Sequence, residues 1–435
     1  MKPKLRITPW TLVRRLTVPL AELAAAAGAV AATIHVPSDG SDGVLTITTN
    51  IVAPNITVTG TNIVIDLGMA VDGAWNDDNS AQSGLGVYDF EKWAVVFKYS
   101  SVSIAAGTRV TFRNHPSKAP VVWLVDGDVT INGILDLSGA NGVAAPGHAE
   151  PGPGGFRGGR GYYAPGVGAG SGFGPGGGRT EGGWWGSGGS YGAQASGTPP
   201  AYGNPSLVPL IGGSGAGGDG DEGWGGGAGG GAILIAAAGS VTVDGRVDAN
   251  GGNRPAQNPG GGSGGGIRIV TGDLAGNGMI RALGGIGQGN GTVGRIQIER
   301  LSASGNPTVI PDPGIVPLVE PATALIWPPD DGPTVRVVSI GGGAVPADPR
   351  ADFGVSGPDV ALPETASTQV VVETVNVESA SQVQVRVTPR GNANFTTADA
   401  AVETVVSDTP LVIRWVATLP VTVGYSAVQV KVVRP

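Results

Sequence analysis

The chain has 435 residues, with 78 Gly, 34 Pro, no Cys, 14% charged side chains and a formal net charge of −8. That length exceeds one ordinary core and predicts roughly two or three domains, while the missing cysteine excludes disulfides, thiolate metal sites and cysteine nucleophiles. The acidic balance, with Arg and Lys scattered singly, lacks the basic stripe that a nucleic-acid partner requires, so none is expected.

Residues 1–33 open on the basic MKPKLR, continue through a moderately apolar stretch from Leu16 and carry an A-x-A site at Ala29-Val30-Ala31. This is the outline of an export signal, but Glu22 inside the apolar part leaves an ordinary N-terminal helix as the other reading. No later stretch approaches the roughly 18 apolar residues needed to span a bilayer, so no transmembrane segment is expected.

From Ile34 to Leu67 the sequence is dense in Val, Ile and Thr with turn residues between, the pattern of short strands. A polar loop, VDGAWNDDNSAQSGLG, separates these from KWAVVFKYSSVSIAAGTRVTF and APVVWLVDGDVTINGILDLSG, which alternate again. Residues 144–230 form a glycine-rich insert broken by Phe156, Tyr162, Tyr163, Phe173, Trp184, Trp185, Tyr191, Tyr202 and Trp224. It has no G-X-Y period, which excludes collagen, and a flexible Gly/Ser linker would carry no such aromatics. The insert is therefore expected to be ordered and laid against the strands.

Three stretches resemble one another: GDVTINGILDLSGANG from 127, GSVTVDGRVDANGGN from 239 and GNGMIRALGGIG from 276. Ile233, Ile267 and Ile296 each lie in a further alternating run, AILIAA, GIRIVT and RIQIER. Repeats of one strand-turn-strand unit that cannot bury a face alone predict stacked coils, a parallel β-helix over residues 34–311 with long glycine-rich loops. Asn132-Gly133, Asp244-Gly245 and Asn277-Gly278 read as stacked corners joined by a ladder of side-chain amides, with Gly245 and Gly278 at one corner. Val243 and Ile280 should then point inward, and Leu234, Arg268 and Gln297 should form an outward column. Residues 312–333 read as a proline-rich linker. Residues 334–435 alternate cleanly between turn signals, the pattern of an Ig-like or fibronectin-like β-sandwich with Trp415 in its core.

Several phrases, among them WAVVFKYSSVSIAAGTRVTFRNHPSKAPVVWLVDGDVTINGILDLSG, AEPGPGGFRGG, YGNPSLVPLIGGSG, GGGAILIAAAG and GGGSGGGIRIV, resemble a group of glycine-rich bacterial surface or secreted proteins of environmental lineages such as planctomycetes. The resemblance covers nearly the whole chain after Ile34. It implies an all-β protein, a right-handed parallel β-helix (solenoid) with an appended sandwich, and it brings no catalytic residues with it.

Candidate chemistry is sparse. In GGDGDEGW, Asp219, Asp221 and Glu222 crowd a glycine loop whose carbonyls could complete an oxygen cage for Ca²⁺; the alternative is a solvated acidic loop, since the calcium nonapeptide has Asp where Glu222 stands and recurs in tandem. Asp72 and the residues Asn76 to Asn79 read as a surface loop, and His115 in RNHPSKAP reads as part of a turn. No HExxH, G-x-S-x-G or Walker pattern is present, and GGGSGGG around Ser263 lacks the Lys-Ser/Thr pair of a phosphate loop. Trp184-Trp185 and Tyr162-Tyr163 would either stack on sugar faces or staple the glycine insert to the strands. These readings point to a non-enzymatic structural or adhesive protein, secreted or on the cell surface, whose partner is a surface polysaccharide or a second copy of itself. The alternative is an extracellular carbohydrate-binding or polysaccharide-degrading protein.

Overall fold

The computed structural model describes residues 33–163, 168–350, 357–363, 367–391 and 394–435. The chain divides into the units Met1–Val30 and Ala31–Pro435, and every described residue belongs to the second. The export signal or helix expected before Ile34 lies outside the described residues but for Thr33.

The alternating runs do form strands. A ten-stranded sheet runs from Gly314–Pro317 through Arg295–Ala303, Gly266–Ala275, Ala232–Val243, Val121–Val125, Ala94–Ile104 and Val87–Asp89 to Val71–Asp72, with Gly43–Ile47 and Val129–Ile131 paired off this path. A seven-stranded sheet faces it, ordered Thr308–Ile310, Met279–Arg281, Arg246–Asp248, Ile134–Asp136, Arg109–Arg113, Asn62–Asp66 and Ile56–Thr59. Period-2 alternation puts Ile233, Ile267 and Ile296 in one register column and Ile235, Ile269 and Ile298 in the next. These columns meet Val110, Leu135, Val247 and Ile280 of the second sheet in one fully buried core.

The architecture nevertheless corrects the expected right-handed parallel β-helix. Both sheets mix parallel and antiparallel pairing: Val87–Asp89 runs antiparallel to Ala94–Ile104, and Ile56–Thr59 forms a hairpin with Asn62–Asp66. The glycine-rich residues, moreover, make a layer of their own instead of loops on a coil. Gly225, Ala228 and Gly231 donate their N–H groups to the carbonyls of Val143, Ala140 and Leu137 (2.8, 3.0 and 2.8 Å). Gly226 and Gly229 donate to Gly159 and Phe156 (both 2.9 Å), and Gly227 and Gly230 to Gly260 and Ser263 (3.0 and 2.9 Å). Residues 260–265 repeat the rule, with Gly260 and Ser263 bonded to Gly217 and Ser214, Gly261 and Gly264 to Gly289 and Thr292, and Gly262 and Gly265 to Gly252 and Ala249. A repeat of three, with no bonds inside the segment, is the signature of the polyproline II helix, which turns its amides toward three neighbours in succession. Packing such helices side by side leaves no room for Cβ: one added at Gly229 would overlap the carbonyl of Gly213. Sequence periodicity missed this layer because a three-residue repeat of glycine has no hydrophobic contrast to read.

Gly133, Gly245 and Gly278 do share one corner, since Ile134, Arg246 and Met279 are in register and Met279 N–H donates to the Gly245 carbonyl at 3.0 Å. The ladder there differs from the expected stack of amides. At the corner a side-chain oxygen accepts instead from a backbone N–H one level on, Asp244 from Asn277 (3.1 Å), and beyond the following strands the same holds for Asn141 from Asn253 (2.9 Å), Asn253 from Ile286 (2.8 Å) and Asn250 from Leu283 (2.9 Å). Leu234, Arg268 and Gln297 do align on the face turned away from the isoleucine columns, but that face is covered and all three are buried. The residues read as a linker cover them. Ala324 and Ile326 pack with Ile34 and Val36 on this face, and His35 bridges Thr323, exchanging backbone bonds with Ala322 and Ala324 (2.8 and 2.9 Å). Arg268 donates to the Leu325 carbonyl (2.6 Å) and pairs with Glu299 (2.7 Å), so a column of mixed chemistry is buried without an unpaired charge.

Residues 334–435 form one seven-stranded antiparallel sheet curled into a half-barrel, ordered Gly343–Ala344, Thr334–Ile340, Ser367–Val375, Leu411–Pro420, Thr396–Asp408, Gln382–Pro389 and Ser426–Val433. The long Thr396–Asp408 strand is irregular at 402–404 and 405–407 and serves both halves, which gives a barrel-like version of the expected sandwich. Trp415 is in its core, with Nε1–H donating to Thr374 Oγ1 at 2.8 Å. The half-barrel docks on the glycine layer. Arg386, buried and held down to a pKa of about 9 by that burial, donates to the carbonyls of Gly172 (2.9 Å) and Pro175 (3.3 Å), and its guanidinium lies 3.6 Å from the Phe395 ring centroid. Asn394 accepts from Ser171 Oγ and Thr180 N–H, both at 2.9 Å.

Candidate functional site: an aromatic edge on the glycine layer

The tract EGGWWG folds locally into a tight hairpin. Trp184 N–H donates to the Glu181 carbonyl at 3.1 Å, and Gly182 and Gly183 take φ values of 56° and 77°, the left-handed pair of a type I′ turn that glycine enters without strain. The flanks, Thr180–Glu181 and Trp185–Gly186, pair antiparallel. The turn is tied to its neighbours through the backbone. Gly220 N–H donates to the Trp184 carbonyl (3.2 Å), Tyr162 N–H to the Asp219 carbonyl (2.7 Å) and Asp219 N–H to the Trp224 carbonyl (2.8 Å).

These bonds bring the two aromatic pairs and the acidic loop to one edge. The aromatics of the insert divide between two roles. Tyr191 and Tyr202 are buried against each other, ring centroids 4.8 Å apart, with their hydroxyls on the carbonyls of Ile211 and Gly212 (both 2.7 Å), and Phe173 is buried as well. Trp184, Tyr163, Trp185 and Trp224 are 64%, 57%, 39% and 36% exposed, and Tyr162 is half-buried. Stapling therefore belongs to Phe173, Tyr191 and Tyr202, which the sequence could not distinguish from the exposed set because burial is a tertiary property. Trp224 joins the edge as the residue that sequence reasoning passed over.

Asp219, Asp221 and Glu222 are adjacent to these rings but do not converge on a cage. Asp219 is wholly buried, and its carboxylate accepts from the Asp221 and Glu222 N–H groups, both at 2.8 Å, closing the loop as an Asx turn. Burial raises its pKa. Asp221 and Glu222 are exposed. Among the described residues no three His, Cys, Asp or Glu form a group able to hold a metal ion.

The other polar clusters are structural. His115 is buried with its ring stacked 3.9 Å from Tyr88 and Nδ1 2.8 Å from Ser117 Oγ; burial holds its pKa down to about 4. Asn79 is buried and donates to Asp42 (2.6 Å), and Ser263 Oγ accepts from Ser214 N–H (2.8 Å) inside the glycine layer. Among the described residues no helix is long and apolar enough to cross a membrane. No protein-family model, curated protein or solved structure matches the chain.

Proposed function

We propose that this chain is a non-enzymatic adhesive protein of the cell surface or extracellular space that holds polysaccharide on the aromatic edge formed by Tyr163, Trp184, Trp185 and Trp224. The observation that carries this reading is the exposure of four large rings on a backbone fixed by hydrogen bonds. Exposed aromatics in one place mark an interaction surface, and the apolar C–H face of a pyranose ring suits an indole whose other edge stays wet. A preordered backbone also lowers the entropy lost on binding. Depletion assays against a panel of neutral, acidic and amino-sugar polysaccharides test the proposal. At least one polymer should be retained, and Trp184→Ala/Trp185→Ala should abolish retention while leaving the melting temperature within a few degrees. Retention unchanged by the double substitution would refute the site, and release of reducing ends from any bound polymer would replace adhesion by catalysis.

A further inference from the structure

The ten-stranded and seven-stranded sheets end together, on Gly314–Pro317 and Thr308–Ile310, and among the described residues no strand lies beyond either. Up to this last level, register-equivalent N–H groups donate forward from one level to the next. Leu137 donates to the Asp248 carbonyl (2.7 Å), Ala249 to Arg281 (2.8 Å) and Ala282 to Ile310 (2.8 Å), and each donor directly follows a register partner, Asp136, Asp248 and Arg281 in turn. The next member of that column is Pro311, which follows Ile310, the partner of Arg281. Proline has no N–H to donate. The larger sheet ends in the same way. Leu318 N–H donates back to the Arg300 carbonyl (2.8 Å), so by alternation Gly314 and Val316 also turn their amides inward, and Ile315, Pro317 and Val319 turn theirs outward. The middle position of that outward row is again proline. Ile310, Ile315, Val316 and Val319 are exposed on this level, and a free edge strand with exposed apolar side chains is a template for pairing with another chain.

We infer that Pro311 and Pro317 are a stop, which keeps a second copy of this chain from adding its strands to the two sheets. Without it, a twofold axis perpendicular to the sheets would set Gly314–Pro317 antiparallel to its mate in another copy and carry the core across, an isologous contact that closes at a dimer. The pyrrolidine ring at Pro317 removes the central donor of the outward row and stands where the partner's carbonyl would lie, and Pro311 does the same where the forward column of the second sheet ends. The next level is thereby denied to a second chain although both edges are bare. The inference rests on the ladders alone and stands whether or not the aromatic edge holds polysaccharide.

The test uses the full chain and Pro317→Val, which restores an unbroken outward row of N–H groups at 315, 317 and 319. In sedimentation equilibrium the mass of the variant should rise with concentration toward about twice that of the unaltered protein. Hydrogen exchange at 315, 317 and 319 should slow by at least about tenfold in the associated variant, while in the unaltered protein exchange at Ile315 and Val319 should not depend on concentration. Pro329→Val, which removes a proline away from the edge, should behave as the unaltered chain does. Should Pro317→Val fail to fold, Pro317→Ala restores the same donor with a smaller side chain and is read in the same way. A folded variant that stays monomeric at every concentration, association that leaves exchange at 315–319 unmoved, or equal association of Pro329→Val would overturn the inference. Self-association of the unaltered protein that protects Ile315 and Val319 would overturn it equally.

Discussion

At the residue scale, the space around each glycine decides whether it can be replaced. At Gly229 the carbonyl of Gly213 occupies the place of a Cβ, so Gly229→Ala must push two polyproline II segments apart. At Gly170 the nearest atoms, Arg160 N at 3.5 Å and the Arg390 carbonyl at 3.7 Å, leave ordinary contact distance, and its φ is not left-handed. Gly229→Ala should destabilise the protein by about 1–3 kcal/mol, as overpacking does. Gly170→Ala should be neutral or stabilising by up to about 1 kcal/mol, because alanine restricts the unfolded chain. Thermal melts of the two variants check this directly; equal losses would mean that glycine serves backbone freedom here and not close approach. Sequence showed where the glycines are, but the two look identical in it, each flanked by small residues.

At the element scale, the segment 322–327 turns the ten-stranded sheet from a half-exposed surface into one buried on both faces. Arg268 is the element's polar fastening. Its guanidinium ties the segment through the Leu325 carbonyl and neutralises Glu299, which is itself mostly buried. Arg268→Ala should cost about 3–5 kcal/mol, the usual effect of leaving one buried charge alone, and adding Glu299→Gln should recover part of the loss. Chemical denaturation of the single and double variants measures both; no recovery in the double variant would show that the Leu325 bond, and not the ion pair, matters. Proline content made 312–333 read as a linker because proline is excluded from central strands. Within that segment, Gly314–Pro317 is the edge strand of the ten-stranded sheet, where proline is tolerated, and residues 322–327 lie across that sheet's outer face.

For the whole molecule, acid should separate what neutral pH holds together. His115 and His148 are both neutral in the fold, their pKa values lowered by burial from an ordinary 6.5 to about 4. Between those values the unfolded chain binds more protons than the native one, so their contribution to stability is complete above pH 6.5, falls as the pH drops and levels off near 4. His115 stacks on Tyr88, whose hydroxyl donates to Asp348 of the C-terminal part at 2.8 Å, and His148 lies edge-on to Phe173 of the glycine layer. The melting temperature should therefore drop from pH 6.5 to 4, and His115→Gln/His148→Gln should flatten that drop; an unchanged slope in the double variant would place the acid sensitivity in carboxylates instead. Sequence by itself determined the all-β character, the alternating strands with their isoleucine columns, the shared corner of Gly245 and Gly278 and the place of Trp415, because each follows from local alternation or turn chemistry that neighbours need not supply. Only the tertiary structure decided the mixed pairing of the sheets, the glycine layer, the covering of Arg268 and the division of aromatics into buried staples and an exposed edge. Strand direction, lateral packing and burial are set by residues far apart in the chain, and no local pattern records them.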